Sequence, residues 1–294
     1  MKQGHNVKVD AHQHFWSIKR DDYGWLTPEL AALWRDFGPS DLAPLVEAAG
    51  VSKTIVVQAA PTIDETRYLL ALTANEPLVG GIVGWVPMLD HDVPALIDEL
   101  GRAPKFKAVR PMMQDLANDD WIAQPELAPA VEALIRNNLG FDALVFTRHL
   151  PFLTEFAERY PNLRIVIDHA AKPRFPEGKP AVDVGDESAT GLDWQEWTHW
   201  MAKLAKSNNV MCKLSGMVTE AAKSYTDQTF AGHVDFMLEA FGPRRLMWGS
   251  DWPVLNLNGD YASWFACAQR LTAALTEEQR QAIFGGTAMS FYRL

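Results

Sequence analysis

Two histidines one residue apart, His12 and His14, stand in the stretch VKVDAHQHF that covers residues 7–15. Apolar and polar residues alternate here with the period of a β-strand. Successive side chains on a strand point to opposite faces, so the two imidazoles project from one face, one pleat apart. Paired polar rings in a sheet core are costly unless a metal ion, a carboxylate, a bound substrate or backbone carbonyls satisfy them. The stretch therefore reads as half of a reactive centre or as two hydrogen-bonded core histidines, and the rest of the chain decides between them.

The elements that must position such a pair recur along the chain. After the first run, apolar strand-like stretches fall at 53–61 (KTIVVQAAP), 80–87 (GGIVGWVP), 106–111 (FKAVRP), 139–146 (LGFDALVF), 163–169 (LRIVIDH), 210–216 (VMCKLSG) and 246–253 (LMWGSDWP). Helical patterns separate them. Asp41 is expected to cap a helix that runs to Ala49 and stops at Gly50, and further helices are expected at 64–75, 92–100, 126–137, 149–160, 194–207 and 230–241. Helices around 261–274, 277–284 and 287–292 finish the chain. Strands alternating with helices imply a parallel sheet with helical crossovers. Eight such units imply an α/β protein of the (β/α)8 TIM-barrel class, with residues 1–294 as a single domain. An open doubly wound sheet is the competitor, but no glycine-rich phosphate loop follows the first strand. Residues 172–192, rich in proline, glycine and acidic side chains, form a long connection and a candidate lid loop.

Composition narrows the function classes. A formal net charge of −10 argues against a nucleic-acid footprint and against docking on anionic membranes. No run of 18 apolar residues is present to span a bilayer. The first residues lack the apolar core of a secretory signal, and with only two cysteines, Cys212 and Cys267, there is no disulfide framework; a cytoplasmic location is expected.

In a barrel of this class the C-terminal ends of all strands open onto one mouth. That rule gathers His12 and His14, Gln58, Trp85, Arg110, His169, Lys213 and Asp251, while the fifth strand offers only Asp142, well before its end. Singly, each has a plain structural reading: His169 as a core histidine, Asp251 as an anchor for a backbone amide, Arg110 and Lys213 as salt-bridge partners. Trp25, Trp85, Trp121 and Trp252 are either packing or flat platforms for a small ring, and His149 is expected to be exposed at the rim. Collectively, three imidazoles and a carboxylate at one mouth are hard to account for as packing, because unpaired polar groups in an apolar barrel are expensive.

His12-Gln13-His14, Val109-Arg110, Asp168-His169, Cys212-Lys213-Leu214-Ser215-Gly216 and Trp248-Gly249-Ser250-Asp251-Trp252-Pro253 together resemble the amidohydrolase superfamily across nearly the whole chain. The nearer likeness is to its lactonase branch, which holds sugar-acid lactonases and 2-pyrone-4,6-dicarboxylate lactonase. The resemblance implies a barrel mouth that hydrolyses an ester, amide or lactone. Metal-dependent members use the strand-one histidines, histidines from strands five and six and the strand-eight aspartate. This chain departs at strand five, which ends in neither lysine nor histidine, so a carbamylated lysine and a two-metal site are not expected. One Zn2+ on His12, His14, His169 and Asp251 is the metal-dependent reading. Some lactonases of the branch are metal-independent, and that reading stands beside it.

Lactone hydrolysis needs an activated water, stabilisation of the oxyanion and a proton for the departing alkoxide. Asp251 is the expected general base, with His12, His14 and His169 as the other catalytic groups. Arg110, Lys213, Trp25 and Trp85 are the expected substrate contacts. A dicarboxylated pyrone calls for more cations than these strand ends supply, which favours the lactone of a deoxy or pentose-like sugar such as L-fucono-, L-rhamnono- or L-arabinonolactone. A metal-dependent decarboxylase of the same superfamily and a non-catalytic sugar-binding protein are the alternatives.

Overall fold

The computed structural model describes residues 7–175 and 193–294. Eight strands, β1 (Val9–Gln13), β2 (Lys53–Val57), β3 (Val79–Gly84), β4 (Phe106–Val109), β5 (Gly140–Ala143), β6 (Arg164–Ile167), β7 (Val210–Leu214) and β8 (Leu246–Trp248), pair in sequence order, and every pairing is parallel. The ring closes between β1 and the segment after β8: Asp251 N–H donates to the His12 carbonyl at 2.8 Å and His14 N–H to the Trp252 carbonyl at 2.7 Å. The protein is thus a (β/α)8 barrel, as the alternation of elements implies. Its strands are buried on both faces, which is why they read as β-branched apolar runs.

The outer helices are α1 (Pro39–Ala49), α2 (Ile63–Thr73), α3 (Val93–Leu100), α4 (Ala128–Arg136), α5 (Leu150–Arg159), α6 (Asp193–Leu204), α7 (Met217–Glu220), α8 (Asp227–Phe241) and α9 (Tyr261–Leu271). The C-terminal segment adds α10 (Glu277–Gln281) and α11 (Thr287–Tyr292). Asp41 is not the cap of α1. Gly38 is, and the Asp41 carboxylate one turn inside accepts from the Gly38 N–H at 2.9 Å, so the helix begins before the residue whose chemistry suggested its start. Among the described residues, no helix is long and apolar enough to cross a membrane. Most of the candidate lid at 172–192 lies outside the described residues.

The barrel interior is layered. Its lower part is apolar, with Val9, Ala11, Ile55, Val57, Val83, Ala108, Val166 and Met247 packed against Ala288, Phe291 and Tyr292 of α11. Above this layer the interior turns polar. The change begins in β1, where pairing with β2 slips between Asp10 and Gln13. Strict alternation would put Asp10 on the histidine face. The slip instead turns Asp10 toward α9, where Tyr261 Oη reaches it at 3.1 Å, while His12 meets groups of the barrel interior.

Candidate active site

His12, His14, His169 and Asp251 converge. His12 Nε2 lies 3.2 Å from His14 Nε2, and Asp251 Oδ1 lies 3.3 Å from His14 Nε2, 3.7 Å from His12 Nε2 and 3.8 Å from His169 Nε2. All four side chains are at most 5% exposed. The late carboxylate and the early histidine pair, nearly the whole chain apart, therefore form one cluster, as the strand-end rule requires.

Backbone geometry aims them. Asp251 has φ 60°, and His169, Ala170, Ala171 and Lys172 form a left-handed turn with φ between 49° and 62°. Side-chain-bearing residues rarely adopt this region, and a run of four is costly unless the surroundings fix it. Trp197 Nε1–H donates to the Ala170 carbonyl at 2.8 Å, and Ser215 Oγ meets His169 Nδ1 at 2.9 Å. Two glycines make room. A Cβ on Gly216, itself at φ 65°, would lie 2.4 Å from the His169 ring, and one on Gly249 would lie 2.7 Å from His12 Cβ. The glycines of the CKLSG and WGSDWP motifs are thus places where backbone must approach a catalytic-type ring.

Beneath the cluster lies a buried ion network that sequence reasoning assembled only in part. Lys213 Nζ donates to Asp142 Oδ2 at 2.6 Å, pairs with Asp168 Oδ1 at 2.8 Å, and faces His12 Nδ1 at 3.1 Å. Tyr292 Oη from the α11 plug donates to the same Asp142 oxygen at 2.7 Å. Arg110 Nη1 stands 3.5 Å from Asp168 Oδ2, and its other terminal nitrogen donates to the Gln58 carbonyl. Lys213 is fully buried among these partners, and Arg110, 3% exposed like Asp251, pairs with Asp168 and the Gln58 carbonyl. Trp25 and Trp85 are partly exposed; Trp25 Nε1–H is tied to the Ala59 carbonyl at 2.7 Å, and its ring meets Trp16 edge-on beside His14. His149 is buried rather than exposed: its Nδ1 accepts from the Phe146 N–H at 3.0 Å, and its Nε2 faces Asp119 at 3.2 Å.

Sequence reasoning did not place Asp10 and Asp168 in the site. Asp10 Oδ1 accepts from His12 N–H at 3.2 Å and Ser250 N–H at 2.8 Å, stitching β1 to the loop that carries Asp251. Asp168 lies 3.5 Å from His12 Nδ1, a distance at which it can orient the ring. Its signal was the Asp-His pair itself: the carboxylate before the histidine serves a different histidine.

Electrostatics follow from this geometry. Burial alone would raise the Asp168 carboxyl, but Lys213, His12 and Arg110 outweigh it and hold the group well below the usual carboxylate range. For Asp251, too, burial is outweighed by His169, His14 and His12, and the carboxyl is held well below its ordinary value. Burial, then the Lys213 charge, push His12 far down. Burial holds His169 at about 4 against the opposing pull of Asp251 and Asp168. Asp142 and Asp10 are pushed up to about 6 by burial, yet remain mainly ionised at neutral pH. The cluster thus sets His12 and His169, both held toward the neutral form, beside a carboxylate in a nearly enclosed centre.

Such a centre suits a metal ion. One ligand atom each from His12, His14 and Asp251 lies 3.2–3.7 Å from the other two, close to the edge of a tetrahedron whose corners stand about 2.0–2.1 Å from its centre. His14 Nδ1 bonds to the Val57 carbonyl at 2.8 Å; a carbonyl only accepts, so Nδ1 carries a proton, and Nε2 turns toward the Asp251 carboxylate at 3.3 Å. A proton or a metal ion between that nitrogen and the carboxylate oxygen satisfies both.

A (β/α)8 barrel whose mouth gathers histidines from strands one and six with the aspartate after strand eight defines a hydrolase-type scaffold. The family model described as amidohydrolase matches residues 9–294, and the chain belongs to that family. An L-fucono-1,5-lactonase of Burkholderia ambifaria is 46% identical, covering 98% of this chain and 96% of the relative. One of Burkholderia multivorans is 35% identical over the same shares. A crystal structure of a Burkholderia multivorans amidohydrolase with bound zinc matches with a TM-score of 0.87 and 34% identity, covering 98% of this chain and 99% of that one.

Proposed function

We propose that the protein is a sugar-acid lactonase that opens an aldonolactone, L-fucono-1,5-lactone or a close stereochemical relative, to the free acid. The single observation that carries the mechanism is the convergence of three imidazoles to within 3.8 Å of the Asp251 carboxylate at the barrel mouth, His14 at hydrogen-bonding distance. The end-to-end likeness to two lactonases supports the substrate class.

Asp251 takes a proton from water as the water oxygen attacks the lactone carbonyl. When the tetrahedral adduct collapses, the ring C–O bond breaks and the same carboxyl returns the proton to the departing alkoxide. His12 and His169 flank the carboxylate, where their N–H groups can reach the carbonyl oxygen as it becomes an oxyanion; one such donor is worth about 3 kcal/mol. The buried Lys213–Asp168 pair holds His12 in place rather than touching the sugar. Partly exposed Trp25 and Trp85 supply flat faces for the ring carbons. A Zn2+ ion, when bound, would be held by His12, His14 and Asp251, with His169 beside them, and would polarise the carbonyl and acidify water.

The test is a pH-indicator assay over a panel of aldonolactones, with and without chelator, beside an assay for CO2 release from aromatic acids. Acid production from L-fucono-1,5-lactone, lost by about 10³-fold or more in Asp251→Asn, is the expected result. A folded Asp251→Asn protein with near-normal turnover removes the base assignment, and CO2 release without lactone opening replaces the reading with a decarboxylase.

A further inference from the structure

Lys213 occupies an unusual place. A histidine that binds a metal through Nε2 ordinarily gives its Nδ1–H to an acceptor, a carboxylate or a carbonyl, which fixes the ring in the form with a bare Nε2. His14 follows that rule through Val57. His12 does not. Its nearest Nδ1 neighbour is the Lys213 ammonium at 3.1 Å, and an ammonium can only donate; the carboxylate that could accept, Asp168 Oδ1, is farther away at 3.5 Å. The lysine has two hydrogen-bond partners, Asp142 Oδ2 at 2.6 Å and His12 Nδ1 at 3.1 Å, and Asp168 Oδ1 stands beside it as an ion-pair partner at 2.8 Å. Its side chain is fully buried among these groups.

We propose that Lys213 is a positioning residue that selects the tautomer of His12. By giving an N–H to Nδ1 it fixes the ring proton on Nε2, so that in the metal-free site His12 enters the mouth as a hydrogen-bond donor. The two members of the His-x-His pair then differ. His12 Nε2–H points at the bare Nε2 of His14, 3.2 Å away, and both are close enough to Asp251 for a substrate oxygen to take over the donor. Binding a metal through His12 requires the ring proton to move from Nε2 to Nδ1, where Asp168 accepts it and Lys213 gives up its bond to that nitrogen. No proton is lost from the protein in that exchange; it is relocated across the ring. Lys213 therefore favours the donor state and lowers metal affinity, and Asp168 is the acceptor that makes the other state reachable.

This inference rests on the cluster being the reactive centre, but its test does not depend on the lactone. The full-length chain is stripped with chelator, labelled with 15N at histidine, and the His12 ring nitrogens are assigned by their loss in His12→Gln. The expected spectrum has His12 protonated at Nε2 and bare at Nδ1, with His14 the reverse. In Lys213→Met, whose side chain has similar length and no N–H, His12 switches to the Nδ1–H form, and Zn2+ measured by competition with a chromophoric chelator binds tighter by about tenfold or more. His12 protonated at Nδ1 in the unmutated protein overturns the proposal, as does a Lys213→Met protein whose tautomer or Zn2+ affinity is unchanged. If Lys213→Met does not fold, the unmutated spectrum alone decides. A chain that hydrolyses no lactone would sink the proposed function and leave the tautomer result standing.

Discussion

Two buried histidines in this protein are held at the same pKa, about 4, and only one of them lies in the cluster around Asp251. His169 is set in the left-handed turn after β6, 3.8 Å from Asp251 and 2.9 Å from Ser215, with burial opposed by Asp251 and Asp168. His233, on α8, sits among aromatic rings, its centroid 4.7 Å from those of Phe175 and Trp194 and 5.1 Å from that of Trp197, and burial is the sole cause of its shift. A perturbed pKa alone therefore does not identify chemistry here. The difference lies in what the ring faces: a carboxylate and other imidazoles in one case, quadrupoles and hydrocarbon in the other.

The sharpest way to break that comparison is to remove each ring in turn. His169→Asn is expected to fold, because asparagine tolerates the left-handed backbone better than histidine does, and to lower kcat/KM by about 10³ with little change in thermal stability. Activity within tenfold of the parent would put His169 with His233 as a packing histidine. Gly216→Ala approaches the same ring from behind. Its Cβ would lie 2.4 Å from His169 Cγ in a backbone conformation alanine disfavours, so the ring must move. A displacement near 1 Å costs about 10²-fold in rate, and the loss should fall on kcat more than on KM because the sugar contacts are elsewhere. A loss confined to KM would mean that His169 binds rather than reacts.

The same contrast explains what could be read in advance. The barrel was legible because eight apolar runs alternate with amphipathic ones, and the strand-end rule then picked His12, His14, His169 and Asp251 without any geometry. Lys213 and Arg110 were also found at strand ends, but their orientation was not. Whether a strand-end cation faces the mouth or its own neighbours depends on which carboxylates are already buried, and Asp142 and Asp168 claimed both lysine and arginine. Asp10 escaped because alternation says nothing about a slipped register, and it is the slip in β1 that sends it outward to Tyr261. His149 looked like a rim residue because it begins a helix near the barrel mouth, yet its ring turns back on the Phe146 N–H.

The smallest effect on activity, and the clearest on stability, belongs to His233. Its folded value of about 4 lies below the ordinary histidine value of 6.5, so the unfolded chain binds the proton more readily between those limits. Stability from this residue is therefore complete above about pH 6.5 and falls away as pH drops toward 4, by roughly 3 kcal/mol at the end of that window. His233→Phe keeps a ring among Phe175, Trp194 and Trp197 and removes the titrating nitrogen. The midpoint of thermal unfolding should then fall less between pH 8 and pH 5 than in the parent, while lactone turnover at pH 8 stays the same. His169 and His12 continue to take up protons on unfolding in both proteins, so the fall shrinks without vanishing. An unchanged fall would mean that the aromatic cage does not set the His233 proton, and a loss of turnover would join the two histidines that the geometry separates.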